Sequence, residues 1–310
     1  MPTHTPDSDT AQLLQHLRSE LANFQDIAKY LLPTPGEVPR LTGIDVWGGT
    51  LPLSGTAGGD HIIYVDFKQR FDLPARMKEA AKEGRHDVVA NLARCRQMSG
   101  IAVIDVSGHR VTDAVLAAML HQAFLVGALY ELDRFGQITM RLFENLNTRF
   151  YQSSGAHKFI SMIYGEISED ARFRFISAAQ PFPTVFSNRN DRFMDVSPER
   201  CVSFPPLGMM PSFDTIDRNS AAASAFGFKH HYEVNEWTLM GAGDILLLHT
   251  DGLTEHARGG EFYAPGRLEQ TLRQVKHQSA RDIFGAIKED LLSFSRPTDD
   301  ISVVVIKLAA

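Results

Sequence analysis

The chain has 310 residues, enough for one large domain or two smaller ones. Hydrophobic residues make up 44% and charged residues 22%, which excludes a disordered or collagen-like chain. The 31 Lys and Arg against 37 Asp and Glu leave a formal charge of −6, which argues against a broad basic footprint for nucleic acid. No uninterrupted apolar run approaches the ~18 residues of a membrane span. The polar start MPTHTPDSDTAQ lacks the apolar centre of a secretion signal. Cys95 and Cys201 are too few and too isolated for a disulfide framework, so a reducing cytoplasm is expected.

In chain order, residues 1–9 read as a disordered tail. Leu13, Leu14, Leu17, Leu21, Phe24, Ile27, Ala28 and Leu31 then recur at helical spacing until Pro33. This predicts an amphipathic helix and linker over 10–35, either docked on its own domain or pairing two chains. The main domain follows over 36–310. Ile44 to Leu53 and Ile62 to Phe67 read as strands around a Gly-rich turn from Gly55 to Gly59. Residues 68–98 are helical in composition, with eight Lys or Arg against four acids. They read as a helical insertion, either a solvated pair of helices or a docking surface for an acidic partner.

Ile101 to Val106 is an apolar strand, followed by helices over Thr112–Leu132 and Ile138–Tyr151. FISMIYGEIS and RFRFISAA resume the strands, and PTVFSN with RFMDVS reads as a hairpin. Residues 211–227 read as a mobile loop. HHYEVNEWTLM and DILLLHT read as paired strands joined at Gly241-Ala242-Gly243. The helices GRLEQTLRQV and ARDIFGAIKEDLLSF precede the last strand, ISVVVIKL. Strands in runs and helices in pairs predict an α+β fold, with antiparallel sheets covered by helices.

The chemical signal is a set of aspartates at strand ends. Asp60 precedes IIYVDF, Asp105 closes IAVIDV, Asp251 follows ILLLHT, and Asp299 and Asp300 open the last strand. A single such aspartate is a common turn former. Several gathered together would repel one another unless a cation neutralised them. Oxygen-only ligands suit Mg²⁺ or Mn²⁺, and a pair of such ions about 3.5–4 Å apart can orient a phosphate and activate water. Glycine beside such a ligand lets the backbone approach the metal at φ > 0. The chain has no Gly-x-Ser-x-Gly elbow and no P-loop.

These motifs together resemble the SpoIIE/RsbU-type serine/threonine phosphatases of the metal-dependent PPM (protein phosphatase 2C-like) superfamily. LLPTPGEVPRLTGIDV, GTAGGDHIIYVDF, IAVIDVSGHRVTDAVLAAML, FPPLGMM, GAGDILLLHTDGLTEHAR and TDDISVVVIKL follow in the family's order over about residues 27–310. The resemblance implies a central antiparallel β-sandwich flanked by helices (αββα). It implies two divalent cations, Mn²⁺ or Mg²⁺, held by Asp60, Asp105, the Val106 carbonyl, Asp251, Asp299 and Asp300. Asp60, Asp105, Asp251 and Asp299 would carry catalysis, by attack of metal-bound hydroxide on phosphoserine or phosphothreonine. The implied substrate is a phosphoprotein, such as a STAS-type anti-sigma-factor antagonist, with neither nucleic acid nor membrane as partner. A helix ahead of such a domain implies a homodimer.

Four departures stand out, one of them the insertion at 68–98, where a much shorter connection is usual. Arg110 replaces the Gly after Ser-Gly-His and is either a phosphate contact or a solvated side chain. His109 is a candidate general acid or a hydrogen-bonding residue of the helix start. His61 replaces the usual aromatic after Gly-Gly-Asp. Ala178-Ala179-Gln180-Pro181-Phe182 stands for Ala-Gly-His-Pro-Pro. These departures keep open a catalytically weak or inactive domain acting as a dimeric binding module. A phosphodiesterase or nuclease would share the ion chemistry, but fits the acidic balance and the motif order less well.

Overall fold

The computed structural model describes residues 6–29, 37–53, 58–107, 111–153, 158–213, 226–238 and 241–309. The linker around Pro33–Gly36, part of the Gly-rich turn and most of the loop expected at 211–227 lie outside them. Two five-stranded antiparallel sheets stack face to face. The first runs β1 (Ile44–Leu51), β12 (Ile301–Leu308), β9 (Ile245–His249), β6 (Thr184–Ser187), β7 (Arg192–Phe193). The second runs β2 (His61–Asp66), β3 (Met98–Val106), β4 (Ile160–Ser168), β5 (Phe173–Ala178), β8 (Asn235–Trp237). A two-stranded ribbon, β10 (Ala257–Arg258) with β11 (Glu261–Phe262), lies apart from both.

Helices cover both outer faces. α2 (Phe67–Arg70), α3 (Leu73–Lys82), α4 (His86–Cys95), α5 (Val111–Phe135) and α6 (Met140–Ser153) follow strands of the second sheet. α7 (Asp251–Glu255), α8 (Gly266–Val275) and α9 (Ala280–Phe294) follow strands of the first. The strands are apolar on both faces because both are covered. Ile62, Tyr64, Ile101 and Val103 join Val46, Leu246, Leu248 and Val304 in a core between the sheets. Ile63, Val65, Ala102 and Ile104 pack with Leu120, Phe124, Phe143 and Leu146 of the helices. Val303, Val305, Ile245 and Leu247 pack with Leu268, Ile283 and Ile287 on the far side. The αββα sandwich expected from the sequence is therefore the observed one.

Some elements depart from expectation. Helix α1 spans Pro6–Lys29 and so begins inside the stretch read as a tail; a proline fits a first helical turn, where its missing N–H would have no partner. Its apolar side is not docked: Leu13, Leu14, Leu17, Leu21 and Ile27 are all exposed, and α1 meets the rest of the chain at α5. β8 and β9 are not partners. β8 pairs with β5 and β9 with β6 and β12, so the turn between them crosses from one sheet to the other.

The insertion is an integral layer. Leu73, Ala80, Val88, Leu92 and Cys95 are buried in the helix-side core. Much of its positive charge is paired internally: Arg76 with Asp133, Arg70 with Glu37, Lys82 with Glu79, and Arg85 with Glu83. Helix α5 also corrects the reading of the chain's hydropathy. Asp113–Phe135, with mean hydropathy 1.5, is long and apolar enough to cross a membrane on composition alone. Ala117, Leu120, Phe124, Ala128 and Leu132 on one of its faces belong to the core, whereas Val115, Met119, Val126, Leu129 and Tyr130 of the same helix are exposed.

Gly48 of β1 is hemmed in by its own partner strand β12 and by Tyr64 of the facing sheet. A Cβ there would lie 2.6 Å from the Val303 carbonyl oxygen and 2.8 Å from the Tyr64 hydroxyl. Backbone cannot yield as a flexible side chain can, so Gly48→Ala is expected to destabilise the fold by about 1–3 kcal/mol. Chemical denaturation of the purified variant checks this; an unchanged midpoint would contradict the packing described.

Candidate metal centre

The sandwich brings the strand-end aspartates to one edge. β2 begins just after Asp60, and its register against β3 sets His61 opposite Ile104, beside Asp105. β12 lies between β1 and β9, so Asp299 and Asp300, just before β12, come near Asp251, just after β9. Asp60 and Asp300 are buried, Asp105 and Asp251 half-buried, and Asp299 is exposed.

Four of the five carboxylates, those of Asp60, Asp105, Asp299 and Asp300, have their own hydrogen-bond support. The Thr250 hydroxyl donates to Asp60 Oδ2 at 2.8 Å, and Ser302 N donates to the same hydroxyl oxygen at 3.0 Å. The Ser161 hydroxyl lies 3.2 Å from both Asp105 Oδ2 and the Asp105 carbonyl oxygen. Asp300 N donates to Asp299 Oδ1 at 2.8 Å. Asp300 itself accepts from Leu53 N at 2.5 Å and from Gly59 N at 2.7 Å, one backbone amide on each oxygen. It thus holds the end of β1 and the approach to β2 in place.

The glycines serve a different end from the one expected. Gly58 and Gly252 are not in the left-handed region. A Cβ on Gly58 would collide with the Asp300 carboxylate, and one on Gly252 with the Asp300 carbonyl oxygen. They are small so that Asp300 can fit between them.

The acids press on one another electrostatically. Burial raises Asp60 well above the carboxylate range, and the charges of Asp105 and Asp300 add to the rise. Asp105 is raised to about 7, first by burial and then by Asp251, Asp299 and Asp300. A set of hard oxygen donors that repel one another this strongly fits divalent cations. Among the described residues, no three His, Cys, Asp or Glu side chains are already gathered into a metal site. The structure thus brings Asp105 within electrostatic reach of Asp251, Asp299 and Asp300, and Asp60 within reach of Asp105 and Asp300, without closing the five on a point. Val106, next to Asp105, ends β3 with its side chain in the core. His109 and Arg110 lie outside the described residues.

Several supporting residues carry no sequence signal of their own. Ser161 meets Asp105 only through the pairing of β3 with β4. Lys158 Nζ donates to the Ser107 carbonyl at 2.7 Å and to the fully buried Asp113 at 2.5 Å, tying the loop after Asp105 to the first turn of α5. At the departure from Ala-Gly-His-Pro-Pro, Ala179 takes φ 59°, a conformation glycine adopts without strain. Gln180 is buried with no hydrogen-bond partner for either side-chain amide atom among the described residues.

Comparison with known proteins agrees with this architecture. The family profile described as Stage II sporulation protein E (SpoIIE) matches residues 97–309. The chain belongs to the SpoIIE family. Phosphoserine phosphatase RsbU of Bacillus subtilis (strain 168) is 22% identical over 296 residues, covering 94% of this chain and 71% of that protein. Among solved structures, the SiaA-PP2C domain of Pseudomonas aeruginosa is similar with a TM-score of 0.63 at 14% identity, covering 96% of this chain and 99% of that one. The PP2C phosphatase domain of SpoIIE from Bacillus subtilis, solved with a fragment of its regulatory domain, gives 0.57 at 15% identity, covering 87% and 64%. The RsbU and RsbW domains of Rv1364c from Mycobacterium tuberculosis give 0.57 at 18%, covering 88% of this chain but only 61% of that one. The chain therefore spans less than two thirds of the mycobacterial structure.

The raised Asp105 sets a pH dependence. A protonated carboxyl is a poor ligand, so cation binding must expel the proton that Asp105 holds below about pH 7. Mn²⁺ affinity is expected to rise from pH 6 to pH 8, with proton release greatest at the lower pH. Calorimetry in buffers of different ionisation enthalpy measures both quantities; affinity that falls with pH would refute the assignment.

Proposed function

We propose that the chain is a metal-dependent protein phosphatase that hydrolyses phosphoserine or phosphothreonine on a regulatory protein. The observation that carries this reading is the cluster of mutually repelling carboxylates, with Asp105 raised to about 7, on a PP2C-type fold. Asp60, Asp105, Asp251, Asp299 and the Val106 carbonyl would hold two divalent cations, Mn²⁺ or Mg²⁺. Such ions supply positive charge to a phosphoryl group and acidify a water that attacks it. The chain's own part is preorganisation. Thr250 orients Asp60, Ser161 orients Asp105, and the Asp300 backbone amide orients Asp299. Asp300, with both oxygens on backbone amides, braces the site and is its least available ligand.

The grading from buried Asp60 to exposed Asp299 favours a phosphoryl group presented on a protein surface. A STAS-type anti-sigma-factor antagonist is the proposed substrate class. It rests on the family resemblance and on similarity to the phosphoserine phosphatase RsbU. A cytoplasmic location is proposed with it, in keeping with the unpaired thiols of Cys95 and Cys201.

Phosphate release from p-nitrophenyl phosphate and from a phosphoserine STAS protein tests this reading, with Mn²⁺, Mg²⁺ or chelator. Release is expected with metal only, and Asp251→Asn is expected to reduce it to background while leaving the circular dichroism spectrum unchanged. Measurable turnover by Asp251→Asn would remove Asp251 from the mechanism. The strained Ala179 and unpartnered Gln180 favour one alternative, a catalytically weak or inactive binding module. Folded protein that binds Mn²⁺ but releases no phosphate from any substrate would select it.

We also propose a homodimer through α1. Leu14, Leu17 and Leu21 follow one another at the alternating spacing of a paired helix, and all three are exposed. Leu17→Glu with Leu21→Glu is expected to halve the particle mass measured by light scattering, without loss of fold. An unchanged mass would exclude this interface.

A further inference from the structure

His61, where the family's motif usually has another aromatic, is engaged in a specific contact. It opens β2, where side chains alternate between the two faces. Ile62 and Tyr64 point between the sheets, whereas Ile63 and Val65 point toward the helices. His61 shares the second face. Its Nε2 lies 2.6 Å from Nδ1 of His121, in the middle of α5, with ring centroids 4.8 Å apart and planes inclined by 47°. The exposures of the two residues are 4% and 9%. At this distance one ring N–H donates to the lone pair of the other. Unlike a packed aromatic pair, this contact has a fixed direction and a fixed length.

The bond matters because of what lies beside it. Asp60 immediately precedes His61, and its supports from elsewhere come from the first sheet and from β3. Thr250 holds its carboxylate, Asp300 holds Gly59 N, and Val106 N donates to the Gly59 carbonyl at 3.3 Å. The His61–His121 bond adds a tie from the helical layer. The same helix is already fixed to the end of β3, through Asp113, Lys158 and the Ser107 carbonyl. One rigid element thus holds two strand ends, each carrying a carboxylate of the candidate metal centre.

We propose that His121 is a positioning residue for Asp60, acting through its hydrogen bond to His61, so that α5 sets the placement of Asp60 relative to Asp105. The proposal rests on the reading of Asp60 and Asp105 as metal ligands. Residues that orient ligands from behind typically change metal affinity by about 10–100-fold when removed.

The test uses the full chain, with Mn²⁺ titrated into metal-free protein by calorimetry and by the electron paramagnetic resonance signal of free Mn²⁺. His121→Leu is expected to weaken Mn²⁺ binding about tenfold. The Mn²⁺ concentration for half-maximal phosphate release should rise by the same factor. His121→Asn places an amide atom near the position of Nδ1 and is expected to recover most of the affinity. Leu132→Ala, in the core further along α5, should melt at lower temperature yet bind Mn²⁺ as the unaltered chain does.

Three results would overturn the proposal. His121→Leu with unaltered Mn²⁺ affinity would reduce the pair to packing. Equal weakening by the Leu and Asn variants would deny the hydrogen bond its role. Equal weakening by Leu132→Ala would make the effect a general loosening of α5. Failure of the unaltered chain to bind Mn²⁺ is a different result, because it would remove the metal-centre reading itself along with this one.

Discussion

One carboxylate holds together the edge of the sandwich where the chemistry gathers. Asp300 sits just before β12, the strand between β1 and β9, and accepts one amide from the end of β1 and another from the approach to β2. Those amides flank the connection that carries the chain from one sheet to the other. Gly58 and Gly252 are small because Asp300 lies against them. Asp60 follows directly on the segment that this contact places. Neighbouring negative charge would by itself push the strand ends apart. Short hydrogen bonds from backbone and hydroxyl donors oppose that repulsion, so the acidic edge is held by neutral groups.

Much of the architecture was legible in the sequence because burial leaves a periodic record. Strands covered on both faces read as continuous apolar runs, and α8 and α9 announced themselves by spacing and flanking residues. The pairing of strands was less legible. β8 and β9 are neighbours in the chain, yet they lie in different sheets, because a short turn can join layers as readily as it can join partners. The acids were visible as strand-end aspartates. Their division of labour was not. Asp300 resembles Asp299 in sequence, and only the fold shows one bracing backbone amides while the other stands exposed. Ser161 and Lys158 act across strand and loop pairings that local sequence does not encode.

The departures from the family pattern also take on distinct meanings. The positively charged insertion pairs several of its cations, Lys82 and Arg85 with its own acids and Arg76 with Asp133 of α5. His61 exchanges an apolar contact for a directional one. Ala179 keeps a backbone conformation that suits glycine after the glycine itself is gone. The first change is absorbed by packing and the second by a new partner, whereas the third remains as local strain beside an unpartnered amide.

The pairing of β1 with β12 has a consequence for the order of events during synthesis. Among the described residues these are the first and last of the strands, matched over eight residues from Ile44↔Leu308 to Leu51↔Ile301. β12 also separates β1 from β9, so β1 has no partner in the first sheet until β12 emerges from the ribosome. The second sheet needs only strands up to β8 and can assemble earlier. Asp299 arrives with the closing strand. A nascent chain can therefore pair the strands of the second sheet while Asp299 and Asp300, and with them the acidic edge, are still missing.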